Sequence, residues 1–153
     1  MLDEGLAILD RLWSGEMVTH HGQHYDIENV SLAPLPLQRP RIPIWIGGES
    51  APALRRAARW DGWLAPTTSP DGTPIMDKNP GRIAEMMAEI RRRRTTNTPF
   101  EVAVDGYSEP GDPTLPRAYQ AAGATWWLES IHGKRGSLEE MIARVEAGPP
   151  EPR

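Results

Sequence analysis

The stretch "IPIWIGGESAPALRRAARWDGW", residues 42–63, decides the fold class. It opens on a β-branched apolar run, breaks at Gly47 and Gly48, and passes through Glu49 and Ser50 into a segment rich in Ala, Leu and Arg. Ser50 is suited to cap a helix whose first turn tolerates Pro52. Asp61 and Gly62 then turn the chain from helix to strand, and Trp63 offers an apolar body to pack beneath it. A strand, a helix and a second strand in so short a span form the repeating unit of an α/β protein.

The unit recurs downstream. After strand "GWLAP" comes a loop from Thr67 to Pro80, then helix "GRIAEMMAEIRRRR", strand "FEVAVDGY", loop "SEPGDPTL", helix "PRAYQAAGA", strand "TWWLESI" and helix "SLEEMIARVEAG". The strands read as near-continuous apolar runs, the pattern of parallel strands covered on both faces. The basic run at 91–94 closes a helix, where cations complement the dipole, and reads as a solvated helix end.

Upstream, Leu2, Leu6, Leu9 and Trp13 share one face of a helix over 1–14. Residues 17–41 read as an irregular hairpin around Gly22 followed by a connector, "APLPLQRPRIP", whose four prolines favour extended backbone. The expected organisation is one domain over 1–148, with βα repeats from 42 to 148 and a disordered tail at 149–153.

Composition narrows the function. A formal net charge of −4 over 153 residues gives no broad positive field for nucleic acid or anionic lipid. The absence of cysteine excludes disulfides and thiolate chemistry and fits a cytoplasmic protein. No apolar run reaches the ~20 residues of a spanning helix, and the first residues lack the basic region of a signal peptide. His20, His21 and His24 cluster in the hairpin, but no acid or cysteine completes a ligand set at familiar spacing, so no metal is expected. A hydrolase reading of "GGES" is weak, because a nucleophile elbow needs glycine where Pro52 stands.

Two places could carry chemistry. The turn Gly47, Gly48, Glu49, Ser50 lies between a strand and a helix N-terminus, where glycines allow close approach and unpaired amides favour an anion such as a phosphate. Such turns also occur for packing alone. At the end of the last strand, Glu129 precedes His132; a glutamate buried beside two tryptophans could have a raised pKa and act as acid or base, or it could pair with Lys134 or Arg135.

The blocks "LDEGLAILDRLWSGE", "GQHYDIENVSLAPLPLQRPRIPIWIGGES", "ALRRAARWDGW" and "AGATWWLES" together resemble, in wording and order, the carboxy-terminal half of the luciferase-like flavin- or deazaflavin-dependent oxidoreductases. The resemblance implies the carboxy-terminal half of a (β/α)8 TIM-type barrel, with about four parallel strands preceded by a helix and hairpin insertion. It implies FMN or 8-hydroxy-5-deazaflavin (coenzyme F-420) as cofactor, a small organic substrate, and monooxygenase or other oxidoreductase activity. It places the cofactor's phosphate at Gly47, Gly48, Glu49 and Ser50, with Thr67 on the same rim and Glu129 and His132 as catalytic candidates. Four strands cannot close a barrel, so the edges at "IPIWI" and "TWWLE" call for a homodimer or an amino-terminal half from another chain. A module that keeps the phosphate turn without turnover is the alternative.

Overall fold

The computed structural model describes residues 1–65 and 79–150, so Thr67 lies outside the described residues. The chain divides into two compact units, Met1–Ile44 and Trp45–Arg153.

In the first unit, α1 (Leu2–Trp13) precedes an antiparallel hairpin of β1 (Val18–His21) and β2 (Asp26–Val30). Leu6 and Ile8 supply the buried positions of α1, while Leu2 and Leu9 of the expected face stay exposed. Glu4 fastens the hairpin to the helix: its carboxylate meets His20 Nε2 at 2.9 Å and accepts from the amides of His24 at 3.2 Å and Tyr25 at 3.3 Å. The His20 hydrogen bond, helped by these amides, pulls the Glu4 carboxyl down to about 2. His21 Nδ1 lies 2.5 Å from Asp26, its partner across the ladder. The His20 and His21 side chains thus have acidic partners that spacing did not reveal, and among the described residues no group of three or more His, Cys, Asp or Glu could hold a metal ion.

The second unit is a four-stranded parallel sheet in the order β3 (Trp45–Gly47), β4 (Gly62–Ala65), β5 (Glu101–Gly106), β6 (Trp126–Glu129). Its helices are α2 (Ala51–Ala57), α3 (Pro80–Arg93), α4 (Thr114–Ala121) and α5 (Leu138–Glu146). Ser50 caps α2 by accepting from the Ala53 amide at 3.4 Å, and Pro52 sits in the first turn. Asn79 caps α3 and Ser137 closes a capping box with Glu140 on α5. In the basic run, Arg92 and Arg93 both pair with Glu89, and Arg94 donates to Trp60 O at 2.8 Å while covering the Phe100 ring.

Alternation along the strands sorts the sheet into two unlike faces. Ile46, Trp63, Ala65, Val102 and Val104 are buried, as are Ala53, Leu54 and Ala57 of α2 and Ile83, Met86, Met87 and Ile90 of α3. On the opposite face Trp45, Leu64, Trp126 and Leu128 remain exposed, Trp126 by 50 %. The apolar runs therefore reflect one face packed by helices and one left open, rather than two covered faces.

Trp45 and Trp126 stand on opposite edge strands, yet their ring centroids are 5.9 Å apart. A flat sheet would separate those strands by three spacings, roughly 14 Å, so the sheet is curled with both indoles on its concave side. A curled parallel sheet with helices on the convex side is half of a TIM-type barrel. β3 and β6 form its two edges, as expected from the sequence.

The curl depends on Gly62, the register partner of both Trp45 and Glu101. A Cβ there would lie 2.7 Å from Trp45 Cδ1 and 2.8 Å from the Glu101 carbonyl oxygen. Gly62→Ala is expected to cost about 1–3 kcal/mol in urea unfolding, the usual penalty of overpacking. A variant as stable as the parent would mean that the indole moves aside freely.

Candidate functional site

In parallel βα folds, functional groups gather at the carboxyl ends of the strands. Here the chain brings three described segments to that end: the turn after β3, Tyr107 and Ser108 after β5, and residues 130–135 after β6.

The glycine turn is held from below. Gly48 has φ +101°, a conformation that favours glycine, its amide reaches Leu64 O at 3.4 Å, and its carbonyl accepts from Trp63 Nε1 at 2.6 Å. Trp63 is fully buried, so the tryptophan of "DGW" both fills the core and pins the turn. Gly47 is exposed, and a Cβ on it would meet nothing within 4 Å. The turn therefore offers open space on the rim, while the Ser50 hydroxyl is engaged as the cap of α2.

Glu129 lies on the convex side, with Trp127 and Ser108. It accepts from the Ser108 amide at 2.9 Å, the Ser108 hydroxyl at 2.6 Å, Trp127 Nε1 at 2.9 Å and Arg135, and it pairs with Arg144 at 3.1 Å. Burial alone would raise its pKa. The hydrogen bonds from Ser108, Trp127 and Arg135 outweigh that and hold the carboxyl at about 2. The shift runs opposite to the raised value that desolvation beside two tryptophans suggested, and Arg135, the alternative partner, is the one engaged. A carboxylate so saturated with donors is an anchor, poorly suited to exchanging protons.

The anchor ties three elements together. Arg135 donates to the carbonyls of Ser130 at 2.9 Å and Ser108 at 2.8 Å; Arg144 donates to the Ser108 hydroxyl at 3.1 Å and the Gly148 carbonyl at 2.7 Å. Beside it a cavity of about 210 Å³ is lined by Trp127, Glu129, Ile131, Arg144 and Val145. A larger hollow of about 460 Å³ lies between α4 and the start of β6, away from the rim.

His132 follows β6 in the rim segment 130–135. Its Nε2 is 2.7 Å from the Tyr107 hydroxyl, and its Nδ1 accepts from the Lys134 amide at 3.2 Å. The Arg135 guanidinium covers the Tyr107 ring at 4.9 Å. Ser130 and Asp105 meet nearby at 3.5 Å. Glu129 and His132, close in sequence, thus engage different partners, Ser108 and Tyr107, and Arg135 reaches both groups. Sequence reasoning missed Tyr107, Ser108 and Arg144; the usable signal was the parallel register, which sets Gly106 beside Glu129 and so brings the residues after them together.

A model of the luciferase-like monooxygenases matches residues 1–109, more than two thirds of the chain. The chain belongs to this family. An uncharacterized family relative from Mycobacterium tuberculosis is 34 % identical over 113 residues, covering 72 % of this chain and 36 % of its own length. The F420-dependent glucose-6-phosphate dehydrogenase of Microbacterium testaceum is 36 % identical over 117 residues, covering 76 % of this chain and 34 % of its own length. The FMNH(2)-dependent dimethylsulfone monooxygenase of Pseudomonas putida is 34 % identical over 61 residues, 40 % of this chain and 17 % of that protein. The chain spans about a third of the length of the first two of these relatives. Among the described residues no helix is long and apolar enough to cross a membrane.

Proposed function

We propose that the chain provides the cofactor-phosphate seat of a flavin- or deazaflavin-dependent luciferase-like oxidoreductase. The observation that carries this reading is the pinned glycine turn at the carboxyl end of β3, open at Gly47 and supported by Trp63. Relatives named for F420 and for FMNH(2) support a flavin-type cofactor, FMN or 8-hydroxy-5-deazaflavin. Its phosphate would meet backbone amides at Gly47, Glu49 and Ser50, with the Ser50 hydroxyl beside it, while Gly48, whose amide reaches Leu64 O, shapes the turn. α2 has only seven residues, so its dipole adds little, and close backbone approach supplies most of the fit.

The cofactor would supply the redox chemistry, while the chain's residues bind, orient and exclude water. A small organic substrate would sit over the concave rim. The two open sheet edges and the exposed concave face support completion by a second copy or by an amino-terminal half, since unpaired edges and exposed apolar surface invite association.

Gly48→Val would strain a backbone at φ +101°, whereas Gly47→Val adds bulk into open space without disturbing the fold. Gly47→Val with Ser50→Ala is expected to weaken FMN binding by about 10- to 100-fold, the loss of one or two charge-assisted contacts. Riboflavin, which lacks the phosphate, should lose little. Equal losses for both ligands in a fluorescence titration would make the turn structural.

A further inference from the structure

In "MIARVE" of α5, Arg144 stands three residues after Met141 and shares its inward face; these two are the buried residues of the helix. A cation on the inward face of a helix has lost its water, so each of its donors needs an acceptor in the protein or in a bound molecule. The Arg144 side chain is only 6 % exposed. Its Nη1 donates to the Gly148 carbonyl at 2.7 Å, and its Nη2 donates to the Ser108 hydroxyl and to Glu129, each at 3.1 Å. Its Nε is buried and has no acceptor among the described residues. A buried donor left in that state is costly unless a further molecule accepts from it.

Arg144 also lines the cavity of about 210 Å³ beside the Glu129 anchor. Trp127, Ile131, Val145 and the segment 148–150 make the other walls, which are almost wholly apolar, and Ile131 and Val145 are exposed there. A dry cavity of about 150 Å³ takes benzene, so this one has room for about six to nine heavy atoms. The charges favour an anion. Arg135 and Arg144 both pair with Glu129, so two cations share one carboxylate, and that carboxylate has further donors in Ser108 and Trp127. One positive charge is left over, and one N–H is left open.

We propose that this cavity binds a small organic monocarboxylate. One carboxylate oxygen accepts from Arg144 Nε, and the hydrocarbon part lies against Trp127, Ile131 and Val145. Arg144 has a second part in the site, because its bond to the Gly148 carbonyl holds the wall that continues into Pro149 and Pro150. The cavity borders β6 and α5, whereas the glycine turn follows β3, so the site stands independently of the cofactor reading.

Proton–nitrogen NMR of the full chain tests this, with the Arg144 Nε–H signal assigned through bonds from its own amide. Butyrate is expected to displace that signal saturably, with a midpoint of about 1 mM or below. Butyramide has the same shape without the charge and should need at least about 10-fold more, because a charged acceptor makes the stronger hydrogen bond. Inorganic phosphate, which has no hydrocarbon to bury, should also need at least about 10-fold more. Val145→Trp fills the cavity from an exposed position on α5, Ile131→Trp fills it from the segment after β6, and each should abolish the butyrate response. Leu138→Trp, on the same helix but outside the cavity lining and 78 % exposed, should keep it. A signal that butyrate leaves in place overturns the proposal, as does an equal response to butyramide or phosphate, or a response that survives both cavity-filling variants. FMN titration of the same sample decides the cofactor reading separately.

Discussion

Glu129→Ala is expected to remove about 3–5 kcal/mol of stability, the cost of stripping the partner from buried ionic groups. The Arg144 side chain is only 6 % exposed and that of Arg135 16 %, and both would face each other across the space the carboxylate now fills. The Ser108 amide, the Ser108 hydroxyl and Trp127 Nε1 would lose their acceptor at the same time. Against a total stability of about 5–15 kcal/mol for a domain, that is a large share. Urea denaturation followed by tryptophan fluorescence measures it; a midpoint within experimental error of the parent would show that the arginines relax into water at no cost. Glu129→Gln should be milder, since it keeps the shape and one acceptor oxygen.

The same anchor sets an acid limit. The Glu129 carboxyl sits at about 2 in the folded chain against an ordinary value of 4.5. A carboxyl whose pKa is lower when folded binds more protons when unfolded, so its contribution is complete above pH 4.5 and is lost as pH falls toward 2. Glu4 follows the same sign in the other unit. In Glu129→Gln the part of the acid-induced loss that belongs to this residue should vanish.

The fold was more legible in the sequence than the site, for reasons that particular residues make plain. Ser50, Gly48 and Pro52 announce a strand-to-helix turn by local chemistry alone, and they occupy those roles. Helix α4 was expected from Pro116 and begins at Thr114, because Asp112 receives the Thr114 amide at 2.9 Å and a proline in the first turn removes only a donor that has no partner there. Trp126 and Trp127 read alike in sequence, yet one stacks on Trp45 in the concave face and the other on Tyr119 of α4. Two consecutive apolar residues in a strand cannot say which face is the open one. The direction of the Glu129 shift was hidden for a related reason: its donors Ser108 and Arg144 come from other elements, and only the sheet register brings them to it.

Trp63 carries the last expectation, because it joins the core to the proposed phosphate turn. It is fully buried on the helix-packed side of β4, and its indole N–H is spent on the Gly48 carbonyl. Trp63→Ala should cost about 3–5 kcal/mol through lost burial and the cavity left behind, which leaves little folded protein at 37 °C. Trp63→Phe separates the two roles: it keeps most of the apolar body but leaves the Gly48 carbonyl without its donor, a loss of about 1–3 kcal/mol. If the pin sets the turn, Trp63→Phe at a temperature where it is folded should weaken FMN binding while riboflavin binding stays near the parent value. A phenylalanine variant that is less stable but binds FMN as the parent does would confine Trp63 to the core and leave the turn to hold itself.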